Sequence, residues 1–476
     1  MEQTYKYRVY PTDDVASEAR RHINICREVY NHALGLYDSA PDGDKPTYTK
    51  LQNKLPAWKR QWTSWSDVNS KCLQMAVRRI FSSLSVLKSL KSKGYKVGKL
   101  KWKSPREYRS IVFNQSGFDV DSNTGRTEHA TLELSKLGTM DVDYHRPLPE
   151  DGIIKEIRLK EEKSGKWYAS VVVNYDPEYP EKPAVENIDL EDTVGIDLGI
   201  LKFAHDSDGN AVTSLDESED RERIEKRHRA LSRKQHGSAN WEKARVKLAE
   251  AYERLANRRT DFIEKLAHSY TIEYSAVFLE KLDVRGMLEQ DSNGQNIASM
   301  LWSDAIKTFE RHGDKNGCHV VTVPPEGTTK RCARCDVESD KGLWVREHSC
   351  PSCGFEADRD ENASYNVQKL GLDELGIEYD VDAVVGLGEA ESTPAETALP
   401  TGADVNDNSS FRVVPAKRVV ETGSHGSPNR GNSLPWRASR YHGCSNTEPD
   451  DPGDRPSRGA HRDPDATVGR QRDGDG

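Results

Sequence analysis

The sequence predicts an α/β protein in two parts: an antiparallel β-sheet or small barrel with an inserted helical subdomain, then a mixed sheet with helices in an RNase H-like order. Three observations carry this. From Ser110 to Tyr175 short apolar runs alternate with period 2 and are separated by turn residues, the pattern of antiparallel strands. From Thr193 to Leu375 three short strands precede a long helical stretch, a strand, a helix, a strand and a final helix. The 476 residues exceed the roughly 100 to 200 of one ordinary domain.

Taken in order, TYKYRVY (4–10) alternates as a strand and stops at Pro11. Ile23, Cys26, Tyr30, Ala33, Leu34 and Tyr37 then recur at helical spacing. After a Pro/Gly/Asp loop at 41–46, Val68 to Leu90 places Leu73, Val77, Ile80, Leu84 and Leu87 on one face and leaves Lys71, Gln74, Arg78 and Arg79 to the other. Residues 13–109 are therefore expected to form a basic helical subdomain inserted between 1–12 and 110–178 of the β part. SIVF, TLEL, MDVDY, IIKEIRL and WYASVVVNY supply its strands, the last two joined at Lys163-Ser164-Gly165-Lys166. Residues 179–192, rich in Pro and Glu, read as a linker. Beyond it TVGIDLGI, KFAHDS and AVTS are strands, Ser218 to Tyr274 is helical, AVFLE (276–280) and CHVVTV (318–323) are strands, and Ala298 to Asn316 and Glu361 to Leu375 are helices. The RNase H-like part is expected over 193–327 and 358–375, with 328–357 inserted.

No run approaches the roughly 18 to 20 apolar residues of a membrane span, and the N-terminus has no apolar signal core. A cytoplasmic, nucleoid-associated protein without a membrane partner is expected. The net charge of -9, from 78 acidic and 69 basic residues, argues by itself against nucleic acid. Its distribution argues the other way. Leu51 to Ser110 holds 15 bases and 2 acids, and Arg221 to Thr260 holds 13 and 5. Gly371 to Ser410, by contrast, has 10 acids and no base. The first basic island interleaves Tyr95, Trp102 and Tyr108 with Lys99, Lys101, Lys103 and Arg106, which suits phosphate pairing with base stacking.

Cys332, Cys335, Cys350 and Cys353 form two C-x-x-C pairs 14 residues apart, the spacing of a tetrahedral Zn²⁺ site. Four thiolates leave no open coordination position, so the zinc is expected to be structural. Chemistry must come from elsewhere. Asp197 interrupts an apolar strand, Glu280 ends another, and Asp360 opens the helix after the cysteines, with Asp358 as its local competitor. Converging carboxylates of this kind hold two Mg²⁺ ions about 4 Å apart for phosphodiester hydrolysis.

GIDLGI, FLEKLDV, the run LSRKQHGSANWEKARVKLAEAYERLANRRTDFIEKLA, the cysteine pairs and DRDENASYNV together resemble the TnpB (OrfB, InsQ) family of transposon-encoded proteins, haloarchaeal members included. YRVYP, REVYNHAL and KGYKVGKLKWKSPREYRS extend the resemblance to roughly residues 4–370. It implies a RuvC nuclease domain behind a wedge-like β-barrel, guided by an RNA from the transposon end and cutting double-stranded target DNA beside a transposon-adjacent motif. A partner transposase from the same element is a further implied partner. By motif, Asp197, Glu280 and Asp360 would be the Mg²⁺-binding catalytic triad, and the four cysteines would hold one Zn²⁺. The helical region with Lys71, Gln74 and Arg78 would read duplex beside the target. Asp336 stands where Gly often follows the second cysteine, and Ser364 where Ala is common. The competing function is a guide-directed DNA binder or transposition regulator that does not cleave. Strand transfer has less support, because there is no His-hydrophobic-His pair near a tyrosine nucleophile.

Residues 376–476 are expected to be an acidic, then Gly/Pro/Arg-rich, disordered tail. The last 54 residues hold 9 Gly and 6 Pro with almost no large apolar side chains, and suggest a frameshift or readthrough product.

Overall fold

The chain begins in β1 (Glu2–Tyr10), whose Tyr5, Tyr7 and Val9 are buried while Thr4, Lys6 and Tyr10 face out. A computed structural model describes residues 1–122, 129–199, 202–281, 293–339, 345–386 and 413–415. Thr12 caps α1 (Asp13–Ser39) by accepting from the Val15 N–H, and Asp13 and Asp14 complement the helix dipole there. Two short helices, α2 (Tyr48–Gln52) and α3 (Leu55–Gln61), lead to α4 (Ser70–Ser92), capped by Asn69.

Six strands follow: β2 (Ser110–Asn114), β3 (Phe118–Asp121), β4 (His129–Leu134), β5 (Gly138–Asp143), β6 (Ile153–Glu161) and β7 (Trp167–Asn174). With β1 they form a seven-stranded antiparallel sheet in the order β2-β6-β7-β1-β5-β4-β3. β2 and β3 sit at opposite ends of that order, yet only residues 115–117 join them. Four residue steps span at most about 14 Å, whereas six strand spacings in a flat sheet span about 29 Å. The sheet must curl until its ends approach, although no ladder joins β2 to β3 among the described residues. Gln115 and Gly117 take positive φ at this turn. The sheet's inner face and α1, α3 and α4 share one continuous core, from Tyr5 through Ile80 to Val173.

A second sheet begins with β8 (Thr193–Leu198), β9 (Lys202–Asp206) and β10 (Asn210–Thr213), all antiparallel. β11 (Ala276–Glu280) lies parallel to β8, and β12 (His319–Val323) parallel to β11. Val413–Pro415 pairs with β10 at the far edge. Helices cover both faces. On one face Val194, Ile196, Leu198, Val277 and Leu279 pack under α6 (Ala239–Glu273) and α7 (Asn293–Asn316). On the other, Phe278 and Val323 pack against α8 (Arg359–Leu375) and the cysteine region.

The element order follows the sequence reading, with several differences; the short helices α2 and α3 were not anticipated. β3, a four-residue strand, was not anticipated: Phe118 and Val120 are too few to show a period. The helical run 218–274 is broken at 233–238 into α5 (Ser218–Ser232) and α6, where Gly237 takes positive φ and Ser238 caps the second helix. A small hairpin, β13 (Glu347–Ser349) with β14 (Glu356–Asp358), brackets the second cysteine pair and leads into α8. The core also runs past residue 375: Ile377, Tyr379, Val384 and Val385 pack onto α8, so the expected tail begins with ordered chain. Within the remainder of that tail Val413–Pro415 pairs with β10; residues 387–412 and 416–476 lie outside the described residues.

Candidate active site

Strand parity sets the site. Because successive side chains alternate, Asp197 points away from Ile196 and Leu198 and toward α8, on the same face as Gly195. In β11 the register pairs Phe278 with Gly195 and Leu279 with Ile196, so Glu280 falls beside Asp197 on that face. Glu280 is buried, and the Thr328 hydroxyl donates to its Oε1. Asp360 enters from the first turn of α8. Three carboxylates from three elements thus gather at one end of the sheet.

Their electrostatics match that crowding. Burial, then the Glu280 and Asp360 charges, push the Asp197 carboxyl well above the ordinary carboxylate range, against the lowering effect of Arg359 and Arg346. Burial pushes Glu280 up to about 7, against the Thr328 hydrogen bond that lowers it, with Glu326 adding to the rise. Asp360 is held by Arg346 and, at 3.1 Å, by Arg359. Asp358 plays a different part: it caps α8, accepting from the Asp360 N–H, and completes a capping box with Glu361.

α8 reaches the sheet because its contact residues allow it. A Cβ on Gly195 would lie 2.3 Å from the Ser364 carbonyl oxygen, and one on Gly371 would lie 2.1 Å from the Phe278 ring. Gln368 Nε2 donates to the Thr193 carbonyl at 3.0 Å, tying helix to strand. Asn362, fully buried, accepts from the Ala333 N–H at 2.9 Å and donates to the Arg331 carbonyl at 2.8 Å. Asn366 donates to the Thr328 and Arg331 carbonyls. These amides and Thr328 were missed as site-builders by sequence reasoning, since nothing in their local pattern announces distant partners.

The four cysteine sulfurs all lie within 4.8 Å of one another, and among the described residues no other set of three or more Cys, His, Asp or Glu ligand atoms gathers so closely. Cys332 and Cys353 sulfurs are 3.6 Å apart, Cys335 and Cys350 3.5 Å. A tetrahedral zinc with arms of roughly 2.3 Å has edges of about 3.8 Å, so the donor set fits. Backbone N–H groups of Arg334 and Cys335 aim at the Cys332 sulfur, and those of Ser352 and Cys353 at the Cys350 sulfur. Asp336 takes the left-handed conformation, φ 58°, that favours Gly, and Gly354 does the same after the second pair. Lys369, buried on α8, donates to the Asp336 carboxylate at 2.9 Å and to the Ala333 carbonyl at 2.7 Å. The acidic departure at 336 therefore has a partner. Ser364 is also absorbed, its hydroxyl donating to the Glu361 carbonyl.

The expected nucleic-acid residues divide. Lys99 and Lys101 are exposed, and so is Arg78; Lys71 and Gln74 are half-buried on α4, Lys71 donating to the Gln115 side chain at 3.4 Å. Lys103 is held to α1 through its backbone by Asn31. Arg106 is engaged with the second half of the chain, 3.2 Å from Glu242 and 5.1 Å over the Trp241 ring. In the second basic island, Asp220 pairs with Arg223, Arg254 and Arg258, and Glu217 with Arg221 and Arg259. Arg227, Lys234, Lys243 and Lys247 instead line an open cleft of about 260 Å³ between α5 and α6.

Known proteins resemble this chain over most of its length. Residues 170–291 match the IS605 OrfB family, described as "Probable transposase", residues 302–367 the Cas12f1-like TNB domain, and residues 1–40 the helix-turn-helix domain of IS605 OrfB. The last segment folds as β1 and α1. A Streptomyces pristinaespiralis protein named "Putative RNA-guided DNA endonuclease" is 31% identical over 380 residues, covering 78% of this chain and 90% of its own. InsQ of Escherichia coli K12, named likewise, is 25% identical over 397 residues, 78% and 92% of the two chains. Cas12f1 of Sulfoacidibacillus thermotolerans is 22% identical over 230 residues, 46% of this chain and 53% of its own. Among solved structures, a Cas12f1 complex with single-guide RNA and target DNA superposes with a TM-score of 0.43 at 13% identity, over 77% of this chain and 98% of that one. No helix among the described residues is long and apolar enough to cross a membrane.

Proposed function

The chain belongs to the TnpB (IS605 OrfB) family, and on that premise we propose that it is an RNA-guided, Mg²⁺-dependent DNA endonuclease of an insertion sequence. The observation that carries the proposal is the gathering of Asp197, Glu280 and Asp360 at one end of the second sheet, where burial opposes the ionisation of Asp197 and Glu280 and the neighbouring Glu280 and Asp360 charges add to it at Asp197. Such a set is costly as bare charge and is stabilised by divalent cations. The sheet order, three antiparallel strands and then two parallel ones with a closing helix, supports an RNase H-like, RuvC-type reading of this half. Two Mg²⁺ ions held there would activate a water and stabilise the leaving oxygen of a phosphodiester. The chain's own part is to aim the carboxylates, through the Gly195 approach, the Thr328 hydroxyl and the α8 amides, and to hold α8 against the cysteine ribbon. One Zn²⁺ on the four cysteines would be structural.

In this reading the partners are a guide RNA from the transposon end and double-stranded DNA beside a short adjacent motif, with a transposase of the same element as a further partner. The test is to purify the protein with its RNA, sequence that RNA, and challenge a matching plasmid with Mg²⁺. Wild type cuts and Asp197→Ala does not; equal cleavage by both would remove the carboxylates from the chemistry.

A further inference from the structure

Trp102 is 64% exposed, although tryptophan is usually mostly buried. It sits on the irregular segment between α4 and β2, and its presentation is enforced. Asn31 of α1 clamps the adjoining Lys103 backbone at both its N–H (2.8 Å) and its carbonyl (2.9 Å), and Arg27 donates to the same carbonyl at 3.3 Å. One helical turn on, the indole lies against α1: a Cβ at Gly35 would stand 3.4 Å from Cζ2. One edge of the ring is thus packed and the rest is held out.

The exposed ring borders an open cavity of about 360 Å³, whose other walls include Trp62, Trp65 and His32 and whose polar groups come from Arg27, Glu28 and Asn31. Trp62 and Trp65 are stacked, with centroids 4.7 Å apart and planes at 27°, and His32 stands edge-on to Trp62 at 4.7 Å. Glu28 accepts from Asn24 at 2.9 Å and from Trp65 Nε1 at 3.4 Å and pairs with Arg27 at 3.7 Å, and its carboxylate keeps lone pairs for a further donor. Lys99 and Lys101, two exposed cations, lie next in sequence to this ring, within the segment of 15 bases and 2 acids.

We propose that this tryptophan pocket takes an unpaired nucleobase, stacked on Trp102, with Lys99 and Lys101 on the phosphates that flank it. The flat exposed ring supplies sequence-tolerant stacking, the Glu28 carboxylate accepts from a base N–H, and the lysines supply the charge that an apolar peptide would not need. The inference rests on the nucleic-acid reading above only for which strand is bound, guide RNA or displaced DNA; the chemistry of the pocket is common to both.

The test uses the full chain freed of co-purified RNA, titrated without Mg²⁺ with single-stranded RNA, single-stranded DNA and duplex DNA of one sequence, and followed by quenching of tryptophan fluorescence. Single strands should quench and bind about tenfold or more weakly to Trp102→Ala, the loss expected of one stacked base, while Trp102→Phe stays within about threefold of wild type. The salt dependence should be unchanged in Trp102→Ala and should fall by about 0.7 per lysine in Lys99→Gln and Lys101→Gln, because stacking releases no counterion. Tighter binding of RNA than of single-stranded DNA assigns the guide, and the reverse assigns the displaced strand. Wild-type affinity in Trp102→Ala, or an equal loss for duplex, would overturn the pocket. The titration runs without Mg²⁺ and reads quenching, so a failure of cleavage and a failure of stacking are read separately.

Discussion

Gly195→Ala is the smallest change that should separate the two elements carrying Asp197 and Asp360. The added methyl would lie 2.3 Å from the Ser364 carbonyl oxygen, 2.5 Å from the Gln368 nitrogen and 2.8 Å from Gln368 Cβ. Two of these are helix backbone, so no rotamer change relieves them. Restoring an ordinary contact of about 3.3 Å requires α8 to retreat by roughly 1 Å over β8. That loosens the Gln368 bonds to Thr193 and the Phe278 seat beneath Gly371. Overpacking of this kind costs about 1 to 3 kcal/mol, and because the obstacle is backbone the upper end is expected. Displacing Asp360 by about 1 Å should also lower cleavage by about 100-fold. Chemical denaturation followed by far-UV circular dichroism, and single-turnover cleavage by the RNA-loaded protein, measure the two effects. An unchanged midpoint together with a wild-type cleavage rate would refute the close-approach argument.

Other consequences are equally open to measurement. Metal analysis should find about one Zn²⁺ per chain, and Cys350→Ser should abolish it and lower the melting temperature; a variant that keeps full zinc would remove Cys350 from the ligand set. Asp220→Ala leaves three guanidinium groups converging without a counter-charge, and should destabilise the α5–α6 hairpin by about 2 kcal/mol, less than for a fully buried pair because the arginines are partly exposed. Faster hydrogen exchange confined to that hairpin is the expected readout, and an unchanged pattern would contradict it. Burial raises the Asp206 carboxyl above its ordinary range, against bonds from Tyr270 and the Asn210 N–H that lower it. The folded state therefore binds a proton more readily than the unfolded one, so this group's contribution is greatest below the ordinary carboxylate pKa and declines as pH rises. Asp206→Asn should gain on wild type in unfolding midpoint between pH 4 and pH 8, whereas a constant offset would sink the assignment.

Much of this fold is readable from periodicity. Tyr5, Tyr7 and Val9 alternate as a strand must, and Leu73, Val77 and Ile80 recur as a buried helix face must. The parity of Asp197 within GIDLG already places its carboxylate opposite Ile196 and Leu198. What periodicity leaves out is long-range. Nothing near Thr328 foretells that it meets Glu280, nor anything near Lys369 that it meets Asp336. The curling of the first sheet likewise follows from the pairing order, which local sequence does not encode. Arg106 shows another long-range effect: a base in a basic run reads as a phosphate contact, and in the fold it also meets Glu242 and Trp241, more than a hundred residues away. Net charge misleads for a similar reason, since Asp220 and Glu217 neutralise arginines that the local sum counts as available.

The carboxylate of Asp360 on α8 serves the chemistry in this reading, while its neighbour Asp358 serves the helix. Single-turnover cleavage of a matching plasmid by the RNA-loaded protein, with Mg²⁺, compares wild type, Asp360→Asn and Asp358→Asn. A cleaving group and a cap must then part company. Asp360→Asn should lose about 1,000-fold or more and Asp358→Asn should cleave near the wild-type rate, since Asn also caps a helix. Near wild-type cleavage by Asp360→Asn would contradict that assignment.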